Sequence, residues 1–260
     1  MSKEVRHILA TRNVSKYFEG VKVLEKVSIT IPEGGIIGLI GPNGSGKTTL
    51  FNIITGFHVP SEGEVLYRAS NEFIRIDGLN PHEIYRLRIV RTFQLPRLFH
   101  SLTVIENLLV TPVGQRGESI LNAVRWRTWL EEEKNLVKKA LGILAMFNKL
   151  EIAFKYPAQL SVADIKLVET LRGLMANARL YLLDEPLAGL DFATARRLLN
   201  FIKEIRNSYN VTFIIIEHRI DLLMETVDYV YVLHNGRLLA SGKPDEVIQN
   251  PDVVKAYVGE

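Results

Sequence analysis

The sequence predicts an α/β fold: a parallel-sheet core that binds phosphate, short strands at its start, and an inserted all-helical region. Three observations predict it. Gly41-Pro42-Asn43-Gly44-Ser45-Gly46-Lys47-Thr48 reads G-x-x-x-x-G-K-T and lies between an apolar run, Ile36–Ile40, and a helical pattern from Thr49. Two further apolar runs, Leu180–Leu183 and Phe213–Ile216, end in polar tips, Asp184-Glu185 and Glu217-His218. Apolar runs of that length read as strands buried on both faces of a parallel sheet. Between the first and second of these runs, roughly residues 97–176 carry helical spacing only.

Residues 8–31 read as short strands broken by turns. Tyr17 stands there upstream of the glycine loop, as a half-buried strand residue or as an aromatic for a nucleotide base to stack on. The glycine loop then turns backbone N–H groups inward at a helix N-terminus, which favours an anion. Asn43, Gly44, Ser45, Gly46, Lys47, Thr48 and Thr49 form the phosphate-binding set, with Lys47 for the β- and γ-phosphates and the Thr48 hydroxyl for Mg²⁺. A strand at Gly63–Tyr67, a short helix at Pro81–Leu87 and a β-rich stretch at Val90–Gln94 follow, ended by Pro96.

The insert opens on a capping box, Thr103 with Glu106 three residues later. A long helix is expected from Ser119 to about Phe147, with Trp126 and Trp129 on one face, and another from Ser161 to Met175. After the insert, Asp184 closes a central strand at the sheet edge where α/β proteins bind ligands. It is expected to hold Mg²⁺ through water, and Glu185 to polarise an attacking water. Asp191 is an N-cap for the next helix. The strand order puts His218 at the same edge, and Asn235-Gly236 marks a hairpin. Short helices near 244–248 and 253–257 close the chain.

Composition sets the limits. The chain has 260 residues, 47% hydrophobic and 23% charged, with a net charge of +3 and no cysteine. Disulfides, thiolate chemistry and zinc–cysteine sites are therefore excluded. The scattered basic residues give no platform for nucleic acid, the N-terminus has no signal-peptide core, and no apolar stretch reaches bilayer length. A cytoplasmic protein is expected, with docking on a membrane protein left open.

In their order, the P-loop, Gln94, Leu160-Ser161, the acid pair, Ala188-Gly189-Leu190-Asp191 and His218 resemble the ATPase subunits of ABC transporters. The resemblance covers nearly the whole chain and implies a P-loop NTPase (RecA-like) core with an antiparallel β subdomain and an inserted α-helical subdomain. Ile53–Phe57, Val90–Gln94, Leu102–Leu109 and the ending Asn250–Glu260 look most like the subunits that power branched-chain amino acid uptake. The resemblance implies one ABC ATPase domain over 1–260, with catalytic core and β subdomain at 1–96 and 177–260 and helical subdomain at 97–176. It implies ATP and Mg²⁺. Tyr17 would stack on adenine, Gln94 would sense Mg²⁺ and the γ-phosphate, and Glu185 would be the general base. His218 would contact the γ-phosphate and Asp191 would reach across a dimer.

Implied partners are membrane permease subunits, a second ABC ATPase subunit and, indirectly, a periplasmic or extracellular solute-binding protein. The implied location is the inner face of the cell membrane, through the permease. Two competing readings are a non-transport ABC protein and a subunit that hydrolyses poorly. The family's Leu-Ser-x-Gly-Gln reads here Leu160-Ser161-Val162-Ala163-Asp164. Ala163 stands for glycine and Asp164 for glutamine. A carboxylate roughly 6 Å from a docking phosphate repels it by about 3 kcal/mol at an effective dielectric of about 20. Ser161, Ala163, Asp164 and Asp191 are the expected dimer-facing set, and a heterodimer is expected ahead of a homodimer.

Overall fold

The computed structural model describes residues 6–70, 72–92, 97–112 and 126–258, with side chains left aside at 126–130 and 258. Contacts divide the chain into two compact units: residues 1–94, 179–188 and 195–260, and residues 95–178 with 189–194.

The first unit holds two sheets. Strands β1 (His7–Phe18), β2 (Val21–Val27) and β3 (Thr30–Pro32) precede β4 (Ile36–Ile40), and helix α1 (Lys47–Ile54) follows the glycine loop. Then come β5 (Glu62–Arg68), β6 (Phe73–Arg75), α2 (Pro81–Arg86) and β7 (Ile89–Arg91). In the antiparallel sheet β1 pairs with β2, β3 and β5, and β5 with β6.

The second unit is helical. It contains α3 (Val104–Leu109), α4 (Trp126–Met146) and α5 (Val162–Met175), with single 3₁₀ turns at Leu150–Ile152 and Pro157–Gln159. Thr103 caps α3 as the box predicts, accepting from the Glu106 N–H while the Glu106 carboxylate accepts from the Thr103 N–H at 2.7 Å. Fully buried Asn107 ties down the preceding loop. Its amide donates to the carbonyls of Phe99, Leu102 and Thr103, and its oxygen accepts from the Phe99 N–H. Lys139 donates to the carbonyls of Leu174 and Met175, the last two residues of α5. Burial holds its ammonium below the usual lysine range. The expected Trp126–Trp129 face lies outside the described side chains.

The chain then returns to the first unit with β8 (Leu180–Asp184), runs through α6 (Phe192–Tyr209), and continues with β9 (Thr212–Ile216), α7 (Ile220–Met224), β10 (Tyr229–His234), β11 (Arg237–Gly242), α8 (Pro244–Ile248) and α9 (Pro251–Val258). These strands form a six-stranded sheet in the order β11-β10-β4-β9-β8-β7. It is parallel except for the β10–β11 hairpin. The hairpin turns on Asn235 and Gly236 with φ of 48° and 76°, the paired left-handed geometry of a type I′ turn. Every residue of β4, β8 and β9 is buried, which is why all three read as unbroken apolar runs. Helix α1 puts Leu50, Phe51, Ile53 and Ile54 into one core with Ile37, Leu182 and Ile214 of this sheet and Leu9, Val14 and Val65 of the other. The glycine loop is thus mounted between a fully buried strand and a helix with most of its residues buried.

Candidate active site

Strand β4 ends at Gly41, where φ is 149°. A Cβ there would lie 2.0 Å from the Leu233 carbonyl oxygen and 2.7 Å from Ser45 Oγ, so only glycine fits between β10 and the loop. Gly46 precedes α1 with φ of 102°, and a Cβ there would meet Leu24 at 2.5 Å. No side chain caps α1, so its first N–H groups face the loop as donors. Lys47 is buried and folded back, donating to the carbonyls of Gly41 at 2.7 Å and Pro42 at 2.8 Å. Asn43, Gly44 and Thr48 are exposed, and Thr49 is half-buried.

A cleft of about 230 Å³ opens over this loop, lined by residues 43–49 with Val23, Glu185 and His218. The two polar tips reach it because β9 neighbours β4 in the sheet and β8 lies beside β9. Glu185 adopts φ of 50°, a left-handed conformation that costs a non-glycine residue on the order of 1–3 kcal/mol. Its N–H donates to the Ile216 carbonyl at 2.9 Å, locking β8 to β9 at the turn. His218 Nε2 stands 3.1 Å from Glu185 Oε1. Beneath them Glu217, 3% exposed, accepts from the N–H of Leu187 and from that of His218. It straps the turn after Glu185-Pro186 to the histidine, and sequence reading passed over it as the polar end of a strand.

Asp184 is held by Arg91. The guanidinium Nη2 lies 2.8 Å from Asp184 Oδ2, with the two side chains 6% and 8% exposed. Sequence reading took Arg91 only as part of a β-rich stretch. The missed signal was a charged residue at the end of a short apolar edge strand. Tyr17 sits on β1 opposite Lys22, whose ammonium lies 5.8 Å from its ring centre. Gln94 lies outside the described residues.

Tyr257 is another residue the sequence did not single out. It comes from α9, and the Gly41 backbone N–H stands at its hydroxyl. Burial pushes its phenol up to about 12, while that N–H pulls the other way.

In the helical unit, Ser161 caps α5, accepting from the Asp164 N–H at 3.1 Å. The Asp164 carboxylate contacts Ser161 Oγ at 2.7 Å and the Lys149 ammonium at 2.7 Å. Burial alone would raise the Asp164 carboxyl. The hydrogen bonds from Lys149 and Ser161, with the charges of Lys149 and Lys155, outweigh it and hold the group below the usual range. Ala163 is half-buried on the first turn. Asp191 caps α6 by accepting from the Thr194 N–H at 3.0 Å, and the hydrogen bonds from the Thr194 side chain and from that N–H keep its carboxyl low.

A glycine loop that turns N–H donors onto one point, with acids at the same edge of the sheet, is how P-loop nucleoside triphosphatases grip a triphosphate, and the chain is of that class. Residues 24–188 match the family described as ABC transporter, and residues 237–260 match the one described as branched-chain amino acid ATP-binding cassette transporter. A probable branched-chain amino acid transport ATP-binding protein LivG of Archaeoglobus fulgidus is 43% identical over 253 residues, 97% of this chain and 95% of that protein. The high-affinity branched-chain amino acid transport ATP-binding protein LivG of Escherichia coli is 35% identical over 254 residues, 97% of this chain and 98% of its own. A crystal structure of a nucleotide-free ATP-binding cassette from an ABC transporter matches with a TM-score of 0.83 at 39% identity, covering 98% of this chain and 100% of that one. The chain belongs to the ABC transporter family, as an ATP-binding, ATP-hydrolysing subunit.

Proposed function

We propose that this chain powers a membrane importer of branched-chain or related amino acids, working on the inner face of the membrane with permease subunits and a second ATPase subunit. The names of its relatives support the solute class, and the match at residues 237–260 adds to it. No described helix is long and apolar enough to cross a membrane, so the reading assigns the pore to the permease. A solute-binding protein outside the membrane would be reached through the permease. The single observation that carries the catalytic reading is the convergence of Glu185 and His218 on the cleft over residues 43–49.

In this reading the triphosphate lies along the loop N–H groups. Lys47 leaves the Gly41 and Pro42 carbonyls for the β- and γ-oxygens. Tyr17 stacks on the base. The Thr48 hydroxyl, Asp184 through water and Gln94 hold Mg²⁺, which when bound neutralises charge on the β- and γ-oxygens. The residues fit that ion. Asp184 supplies one carboxylate and Thr48 an exposed hydroxyl, and Mg²⁺ at phosphates typically takes one or two carboxylates beside its waters. Glu185 orients a water and accepts its proton as oxygen attacks the γ-phosphorus, the bond from that phosphorus to the β–γ bridging oxygen breaks and ADP leaves, and His218, 3.1 Å from Glu185, holds the γ-phosphate side of the cleft. Residues 97–176 form the helical subdomain that offers Ser161, Ala163 and Asp164 to the second subunit, and Asp191 faces it too.

Glu185→Gln tests the assignment. Binding of MgATP is expected to persist, while single-turnover hydrolysis falls by on the order of a hundredfold or more. Unchanged single-turnover hydrolysis would exclude Glu185 as the base.

A further inference from the structure

The strongest unassigned feature is the cation buried beside the acids. Arg91 ends the edge strand β7, in register with Leu182 of β8. Leu182 and Asp184, two apart, share a face of that strand, and Leu182 packs in the core with Leu50 and Phe51 of α1. The Arg91 guanidinium lies at that interface and joins three pieces of the site. Nη2 holds Asp184 Oδ2 at 2.8 Å. Nη1 donates to Asn52 Oδ1 at 2.6 Å and approaches Thr55 Oγ1 at 3.4 Å, both on the α1 side. The rings of Phe51 and Phe57 lie 5.7 and 5.9 Å from its centre. Among the described residues, Asp184 Oδ1 takes no hydrogen bond.

We propose that Arg91 is a positioning residue for the metal side of the ATP site: it clamps Asp184 by Oδ2 to the phosphate-loop helix, so that Oδ1 is the oxygen presented to the hydrated Mg²⁺. A buried carboxylate with a single pinned oxygen has one orientation, and a planar guanidinium fixed by an amide and two rings supplies the pin. A lysine could supply the charge but not the fork, so it would hold Asp184 without the tie to Asn52. The arrangement links the loop that binds phosphate to the acid that binds metal water, and both shift as one body. The proposal rests on Asp184 being the metal-side acid, and the test keeps the two apart.

The experiment is equilibrium binding of a fluorescent ATP analogue, in EDTA and in Mg²⁺, together with Mg²⁺ titration of hydrolysis. Arg91→Met is expected to weaken binding in Mg²⁺ by about tenfold or more, the usual cost of losing a partner of a metal-side group, and to change binding in EDTA by less than about twofold. Arg91→Lys recovers part of the loss. Asn52→Ala leaves the ion pair but loosens it, and shifts the Mg²⁺ requirement in the same direction by a smaller factor. If Arg91→Met does not fold, Arg91→Lys and Asn52→Ala carry the test. Equal weakening with and without Mg²⁺ would reduce Arg91 to a structural residue and overturn the proposal, as would no change in either. Asp184→Asn is the control: a Mg²⁺-specific loss there without one at Arg91 overturns this proposal alone, and no Mg²⁺-specific loss at Asp184 overturns both readings.

Discussion

A carboxylate in the first turn of a helix gains about 0.3–1 kcal/mol from the helix dipole, and Asp164 adds to this a 2.7 Å contact with Lys149. The bare anion expected from the sequence, repelling a phosphate by about 3 kcal/mol at about 6 Å, is therefore one half of an ion pair. Lys149 was invisible as a partner, because the pairing depends on how the chain turns between α4 and α5. A second consequence concerns the proton of Ser161. An ionised carboxylate only accepts, so the 2.7 Å contact requires Ser161 to donate its one proton to Asp164. The linkage sign follows from the lowered carboxyl. The contribution of Asp164 to stability is fully present above the unfolded value of 3.8 and is lost as pH falls through the lower folded value. Denaturant melts of the protein and of Asp164→Asn are expected to differ by a constant amount at pH 6 to 7. The gap should close as the pH drops below about 4, and a gap independent of pH would contradict the ion pair.

Among the elements, those legible in the sequence are those whose cause is local. Strands β4, β8 and β9 declare themselves by unbroken apolar runs, α3 by Thr103 and Glu106, and the β10–β11 turn by Asn235-Gly236. Glu185 and His218 were legible because sheet order alone carries two strand ends to one cleft. Arg91, Glu217 and Tyr257 were not, since each acts through a partner from a distant part of the chain. Helix α9 shows the limit. Its periodicity gives a helix with buried Val253 and Ala256, and nothing in it says that Tyr257 meets the start of the glycine loop. Tyr257→Phe removes the oxygen beside the Gly41 N–H while leaving the ring. It is expected to cost about 0.5–1.5 kcal/mol in urea unfolding, the usual worth of one hydrogen bond. ATP binding should weaken too, because Gly41 anchors the loop. An unshifted midpoint and unshifted affinity would show that α9 does not brace the loop.

At the scale of the whole molecule, the chain carries one phosphate loop and one Ser161-Val162-Ala163-Asp164 segment, so the proposed machine needs two subunits, each closing the other's nucleotide. Lys149 removes most of the electrostatic objection to this segment facing a triphosphate, because the pair is neutral overall. Two objections remain. Ser161 has no proton left to donate to a phosphate while Asp164 holds it, and the Ala163 methyl keeps the backbone farther off than glycine would. Freeing Ser161 means breaking contacts to a partly buried carboxylate, at a cost of about 1–3 kcal/mol for a charge-assisted hydrogen bond. A homodimer would have two sites with that handicap. A heterodimer whose partner offers an unaltered Leu-Ser-x-Gly-Gln would keep one good site, made of this chain's own loop, Asp184 and Glu185. The expected outcome is slow ATP hydrolysis by the purified chain alone, faster hydrolysis by Ala163→Gly with Asp164→Gln, and the largest rate when a partner ATPase subunit is added. Brisk cooperative hydrolysis by the unmodified chain, unimproved by those two changes, would make the homodimer the working form.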